Sequence, residues 1–195
     1  MKGESTMENI FDVALRYAGV CHAGMTRKGS GAPYMLHPME VAEILSTMTN
    51  DSEILAAGLL HDTIEDTPAT EEDIRSRFGD RVADLVMTET ENKYPDLPPD
   101  ETWQRRKEES LVVLRDATDP AVKMLWLADK LSNMRSFYRQ YRERGADMWL
   151  IYHQHDPKKH EWYYRKIAEY TSVLASYDAY REYCVRLDQV FPKSI

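Results

Sequence analysis

Apolar residues recur at helical spacing along most of the chain, and no run shows the strict alternation that marks a strand. Helix-start signals recur as well. Thr70–Asp73 has the form of a capping box, while Asp119-Pro120 and Asp156-Pro157 each combine a cap residue with a first-position proline. These patterns predict an all-α fold, a single compact domain of about eight to ten helices over residues 1–195. Residues 157–195 are expected to form a C-terminal helical extension packed on the rest.

Composition excludes several classes of protein. No apolar run approaches the about 20 residues needed to span a bilayer, and Met1–Thr6 has no apolar segment behind it to serve as a signal peptide. A net charge of −8 opposes broad contact with nucleic acid, which requires a basic face. Cys21 and Cys184 are far apart and are interpreted as two reduced thiols. We therefore expect a cytoplasmic protein with neither membrane nor nucleic-acid partners. Formation of a homo-oligomer is compatible with the sequence.

The segment Leu59–Thr67 leads an apolar helical run into one histidine and three carboxylates. His61 and Glu65 are four residues apart, as are Asp62 and Asp66, so each pair shares a face while the segment stays helical. Carboxylates at the end of a helix oppose its dipole, which indicates a positive partner such as a divalent metal ion. The alternative is a solvated acidic helix end with an incidental histidine.

Two other positions offer metal ligands. His37-Pro38 is predicted to open a helix, with His37 as its cap. Asp129 lies on the inward stripe of the helix that follows Asp119, where a carboxylate is costly unless it is paired or bound to metal. A buried ion pair with an arginine is the alternative there. Two imidazoles with two carboxylates suit Mn²⁺, Fe²⁺ or Zn²⁺ and select poorly among them.

Two loops and a histidine-rich tract are further candidates for functional segments. The glycine-rich connection 22–34 carries Arg27-Lys28 and is either a phosphate-binding loop or a loop with two solvated cations. Residues 91–100 contain three prolines and form a connector or a lid. His153, His155 and His160 are interpreted as surface residues, because no cysteine or carboxylate accompanies them at ligand spacing.

The order His37, His61-Asp62, Asp129 resembles the HD superfamily of metal-dependent phosphohydrolases. A closer likeness, to the RelA/SpoT hydrolase type, lies within residues 22–136. It is carried by Arg27–Gly29, Pro33–Pro38, Leu59–Thr67, Phe78–Val86 and Leu127–Arg135. The chain is too short to hold that family's synthetase and regulatory domains as well. It therefore resembles the stand-alone small alarmone hydrolases, including the metazoan SpoT homologue.

The resemblance implies Mn²⁺-dependent hydrolysis of the 3′-pyrophosphate of ppGpp or pppGpp to GDP or GTP and pyrophosphate, and it implies three sets of site residues. The metal ligands would be His37, His61, Asp62 and Asp129. The residues that orient and deprotonate the attacking water would be Glu65 and Asp66. The contacts to the nucleotide substrate would be Arg27, Lys28, Asn133 and Ser136.

Three places depart from the family pattern. Met25 stands where the family often has Gln, Ser136 where it has Thr, and Thr88–Thr90 where it has Gly-Val-Thr. The metal and acidic positions are intact, so these departures concern the choice of substrate. Two alternatives stay open: a phosphohydrolase acting on ppApp, NADPH or a nucleoside phosphate, and a non-catalytic nucleotide-sensing module.

Overall fold

Residues 8–192 are described by the structure, a computed structural model, and they fold into ten α-helices. The helices are α1 Ile10–Cys21, α2 Leu36–Ser46, α3 Ser52–Leu60, α4 Thr63–Asp66, α5 Glu71–Phe78, α6 Asp80–Glu89, α7 Pro99–Asp116, α8 Pro120–Arg144, α9 Pro157–Tyr170 and α10 Asp178–Val190. Gly145–Ile151 and Ser172–Leu174 are 3₁₀ turns. Within 8–192 the sole β-type pairing is an isolated bridge between Thr26 and Pro33. The predicted all-α fold is confirmed, while Met1–Thr6, used above to argue against a signal peptide, lies outside the described residues.

Most helix starts follow the local signals in the sequence. The Asp51, Asp119 and Asp156 side chains accept hydrogen bonds from the backbone two residues on, and Thr70 forms the predicted capping box. The start predicted for α2 was wrong by two residues, because the cap is Met35 and the helix begins at Leu36. His37 lies inside the first turn rather than at the cap, because its N–H already donates to the Tyr34 carbonyl at 2.9 Å.

Two further helix starts are each set by one cap residue. Helix α1 begins at Ile10 with Asn9 as its cap. Gly79 is the cap residue of α6, and its φ of +87° is a conformation that favours glycine.

Helix α8 is the central element of the fold. Leu125, Trp126, Leu127 and Ala128 are consecutive and all buried, so every side of this helix is covered at that level. Helices α2, α3, α6 and α10 all pack against it. This packing directs the first turn of α2 and the end of α3 toward the middle of α8. Among residues 8–192, no helix is both long and apolar enough to cross a membrane.

The C-terminal helices cover the other side of α8. Helix α10 packs along α8, and α9 packs against α7 and α8. Helix α9 contributes buried Tyr163 and Tyr164 to the core, while Trp162 of the same helix is partly buried. These aromatic side chains therefore serve core packing.

His160 corrects the interpretation of the histidine-rich tract. His153 and His155 are exposed as predicted, but His160 is buried. Its ring stacks on Trp149 with centroids 4.6 Å apart, and its Nε2–H donates to the Gln154 carbonyl at 2.8 Å. The sequence pattern missed this because Trp149 lies on a 3₁₀ turn whose position depends on tertiary packing.

The buried histidine predicts a pH-dependent stability. Burial lowers the pKa of His160 to about 4. A depressed pKa gives stability that is present above the unfolded value of about 6.5 and is lost as pH falls toward 4, by about 2–3 kcal/mol. We expect the free energy of unfolding of His160→Phe to depend less on pH than that of the unaltered protein. Urea unfolding between pH 7 and pH 4 measures this dependence. His155→Phe, at an exposed position, is the control, and an unchanged slope in His160→Phe would contradict the assignment.

Candidate active site

The helix predicted through residues 59–66 is interrupted at its most acidic point. Helix α3 ends at Leu60 and α4 begins at Thr63. Thr63 Oγ1 donates to the Leu60 carbonyl at 2.6 Å, and His61 Nδ1 lies 2.9 Å from the Gly58 carbonyl. Because a carbonyl only accepts, Nδ1 of His61 carries the proton. The lone pair of Nε2 is then left to face the interior of the site.

The tautomer of His37 is fixed in the same way. Its Nδ1 lies 2.8 Å from Ser132 Oγ, and that hydroxyl donates to Glu40 Oε2 at 2.6 Å. Since the hydroxyl proton is committed to Glu40, its oxygen accepts from Nδ1–H of His37. Arg135 in turn holds Glu40 at 3.1 Å. The second ring nitrogen of His37 is therefore also available as a metal ligand.

Four ligand atoms from three helical regions converge at one point. His37 Nε2 lies 3.0 Å from Asp129 Oδ1, His61 Nε2 lies 3.0 Å from Asp62 Oδ2, and the two Nε2 atoms are 3.3 Å apart. Two ligands at right angles, each about 2.1 Å from a metal ion, are about 3.0 Å apart. Two imidazole lone pairs and two carboxylates at this spacing repel one another unless a proton or a metal cation lies between them. Burial opposes protonation of His61, but Asp62 and Asp129 raise its pKa, so the cluster attracts positive charge. The residues present therefore fit a divalent metal ion.

Asp129 is held from two sides. Asn133 Nδ2 donates to its Oδ1 at 2.7 Å, and the neighbouring Lys130 ammonium bonds its Oδ2. Burial opposes ionisation of Asp129, but Lys130 and the two histidines hold its pKa well below the usual range. The alternative considered for this position, a buried ion pair, is thus present, although with Lys130 rather than with an arginine. Asp129 therefore pairs with Lys130 through Oδ2 while its Oδ1 faces His37.

Glu65 and Asp66 lie beside this centre. Lys93 Nζ is 2.6 Å from Asp66 Oδ1 and 3.6 Å from Glu65 Oε1. The Tyr34 hydroxyl lies 2.6 Å from Asp62 Oδ2 and 3.1 Å from Asp66 Oδ2, so it links the centre to the acidic pair. Burial, followed by repulsion from Glu91, raises the pKa of Glu65 to about 7. A carboxylate with that pKa is suited to general-base work near neutral pH.

The loop that carries Arg27 and Lys28 is closed on itself and tied to α8. Arg27 N–H donates to the Ala32 carbonyl at 2.8 Å, and Arg144 donates to the Gly29 carbonyl at 2.9 Å. Gly29 has φ +85°, and a Cβ there would overlap the Gln140 side chain. The close approach holds the loop against α8. Arg27 then reaches Asn133, donating to its Oδ1 at 3.0 Å.

A cavity of about 490 Å³ opens beside the centre, and a smaller one of about 160 Å³ reaches the metal ligands. Arg27, Tyr34, Glu65 and Asn133 line both, so the two cavities adjoin at these side chains. All four predicted substrate contacts line the larger cavity. They are Arg27, Lys28, Asn133 and Ser136.

Several residues of the site escaped sequence reasoning. Phe137 and Tyr152 line the larger cavity, and Lys93 and Arg106 add positive charge there. Tyr34 could have been identified, since it lies three residues before His37 within the family-like segment Pro33–Pro38. Lys93 had none, because it lies in the loop between α6 and α7 where no periodicity applies.

His37, His61 and Asp129 form a buried group that could hold a metal ion, brought together by α2, the end of α3 and α8. The Asp62 carboxylate lies beside this group, 3.0 Å from His61 Nε2. The fold and the site together define a class of helical proteins with a buried centre able to hold a divalent metal ion. The sequence model of the HD domain family matches residues 14–153. The chain belongs to the HD domain family, and the resemblance to the HD superfamily is confirmed.

Two curated proteins are similar to this chain in sequence. A GTP pyrophosphokinase of Myxococcus xanthus is 37% identical over 140 residues, covering 71% of this chain and 18% of its own length. A guanosine-3′,5′-bis(diphosphate) 3′-pyrophosphohydrolase of Aquifex aeolicus is 38% identical over 125 residues, covering 64% of this chain and 17% of its own length. The chain therefore spans less than a fifth of these curated relatives.

Two solved structures are similar over their whole length. One is a metazoan ortholog of SpoT described as hydrolysing ppGpp and acting in starvation responses, with a TM-score of 0.72 and 26% identity. The alignment covers 96% of this chain and 97% of that one. The other, lmo0812 from Listeria monocytogenes EGD-e, has a TM-score of 0.69 and 34% identity over 80% of this chain and 99% of its own. The resemblance to the RelA/SpoT hydrolase type is confirmed.

Proposed function

We propose that this protein is a metal-dependent pyrophosphohydrolase that converts ppGpp or pppGpp to GDP or GTP and pyrophosphate. The observation that carries the proposal is that a group of four metal-ligand candidates, a partly buried base and a cationic cavity meet at Glu65 and Arg27. The activities for which the Aquifex relative and the metazoan ortholog are named support the choice of substrate. The substrate is then a small nucleotide of the cytoplasm.

His37, His61, Asp62 and Asp129 would hold the metal ion, and we propose Mn²⁺ with Fe²⁺ or Zn²⁺ as alternatives. Imidazole suits the later metals and carboxylate the harder ones, so a mixed set is compatible with all three. A bound divalent ion supplies charge neutralisation at the phosphoryl group and acidifies water.

Glu65 and Asp66 would then have different roles toward the attacking water. Glu65, with its raised pKa, takes the proton from the attacking water. Asp66, fixed by Lys93 and Tyr34, orients that water. Positioning of this kind contributes much of the rate in phosphoryl transfer, because the protein supplies little covalent chemistry.

The cavity walls suit a nucleotide with two phosphate groups. Arg27 and Lys28 enter from the glycine-rich loop and would face the phosphates, with Asn133 beside the sugar. Ser136 stands one turn further along α8. Phe137 and Tyr152 form an aromatic wall with ring centroids 5.2 Å apart, on which a base could lie.

The same wall favours a second candidate within the enzyme class. Stacking on aromatic rings accepts any base, so ppApp or NADPH could occupy the cavity as well as a guanine nucleotide. A non-catalytic nucleotide sensor is less well supported, since two carboxylates suited to general-base catalysis, Glu65 and Asp66, lie near Asp62.

A Mn²⁺-supplemented screen of ppGpp, pppGpp, ppApp, NADPH and simple nucleotides tests the proposal, with products resolved by chromatography. We expect the highest kcat/KM for ppGpp or pppGpp, with pyrophosphate as product. Orthophosphate as the main product would indicate a monoesterase instead. Tight nucleotide binding without turnover in Mn²⁺ would indicate a sensor.

A further inference from the structure

Glu89, the last residue of α6, is a buried carboxylate that the proposed reaction does not use. Its side chain is 2% exposed, and Oε2 accepts a hydrogen bond from Lys130 at 3.0 Å. Its Oε1 has no partner among the described residues, although it lines the cavity that contains the metal ligands. A buried carboxylate is costly, so its retention calls for a reason.

The partner of Glu89 is also the partner of a proposed metal ligand. Lys130 Nζ bonds Asp129 Oδ2 and lies 4.8 Å from the centre of the Trp126 ring. The opposite oxygen of Asp129 faces His37 Nε2 at 3.0 Å. One ammonium group therefore divides its charge between Glu89 and Asp129. A metal ion at the centre would compete with that ammonium for the charge of Asp129.

We propose that Glu89 is a positioning residue that sets the metal affinity of the centre by drawing the charge of Lys130 away from Asp129. Without the carboxylate, the ammonium has Asp129 as its one anionic partner among the contacts described, and Asp129 becomes a poorer ligand. The inference rests on the proposed function only in requiring a metal ion at this centre. It concerns this chain in particular, because Thr88-Glu89-Thr90 departs from the Gly-Val-Thr pattern of the family.

Titration calorimetry with Mn²⁺ alone, without substrate, tests the inference on the full chain. Changes in residues that contact metal ligands typically cost about 10–100-fold in affinity. Glu89 lies one contact further away, through Lys130, so we expect Glu89→Gln to raise the Kd by the lower end of that range, about 10-fold. Glu91→Gln is the matched control. Glu91 lines the same cavity but pairs with Lys107 at 2.5 Å and Arg106 at 3.1 Å, not with Lys130. Equal losses in the two variants would overturn the inference, since any nearby negative charge would then suffice.

A double variant separates action through Lys130 from a direct charge effect. Glu89→Gln with Lys130→Met removes both charges of the pair and leaves the net charge of the buried cluster unchanged. We expect its Kd to return to within about 3-fold of the unaltered protein, because the competing ammonium is gone. A Kd as weak as that of Glu89→Gln alone would overturn the inference. Absence of Mn²⁺ binding in the unaltered protein would instead overturn the metal centre itself, and the inference with it.

Discussion

Asp62→Ala is expected to abolish metal binding and hydrolysis together. The Asp62 carboxylate lies 3.0 Å from His61 Nε2 and 3.5 Å from His37 Nε2, so its loss removes one of two negative charges that face the imidazoles. With the metal ion gone, turnover should fall by about 10³-fold or more, corresponding to several kcal/mol of charge stabilisation. Metal content after dialysis and the rate of ppGpp hydrolysis measure the two effects.

The fold of this variant should survive. Asp62 stands at the break between α3 and α4 rather than within a helix, and its caps and core neighbours are unaffected. Removing it relieves repulsion from Asp129 but also removes the attraction of the two histidines and leaves the Tyr34 hydroxyl with Asp66 as its acceptor. The melting temperature in EDTA should therefore fall by no more than a few degrees. Full metal occupancy in Asp62→Ala would contradict its place among the ligands.

Glu65→Gln is expected to leave metal bound and to slow turnover. The glutamine keeps the shape of the side chain but cannot accept the proton of water. General-base catalysis typically contributes about 10²–10⁴-fold, and kcat should fall by that amount with little change in KM. The variant should also lose the acid limb of the pH–rate profile that an ionising Glu65 produces. Glu72→Gln, on an exposed face of α5, is the control.

The result that separates the two roles is the metal affinity of Glu65→Gln. Glu65 contacts Lys93 and the Glu91 backbone N–H rather than the imidazoles, so the Kd for Mn²⁺ should match that of the unaltered protein. Loss of metal from this variant would place Glu65 among the ligands. Undiminished turnover would remove it from the catalytic pair.

The parts of this fold that local chemistry determines were predictable from sequence. Asp119 followed by Pro120 starts α8 because cap and proline act within one turn. Asp129 was identifiable because a carboxylate on an apolar stripe needs a partner. His37 was identified from its place before Pro38 and from its order with His61-Asp62 and Asp129. The spacing of such stripes indicates which side chains point inward without indicating what they meet.

The features of the site that could not be predicted from the sequence depend on tertiary contacts. The break at His61-Asp62 is stabilised by a bond from the His61 ring to Gly58 and leaves no mark in the periodicity. The division of Lys130 between two carboxylates requires α6 to lie beside α8. Burial of His160 likewise depends on Trp149, eleven residues earlier in the chain.

The most direct test of the proposed activity is the product of ppGpp hydrolysis in Mn²⁺ and ¹⁸O-labelled water. In-line attack of water on the 3′-attached phosphorus predicts equal amounts of GDP and pyrophosphate, with the label in pyrophosphate and none in the 3′-hydroxyl of GDP. Orthophosphate as the product, label in the 3′-hydroxyl, or bound ppGpp that is never turned over would contradict the assignment.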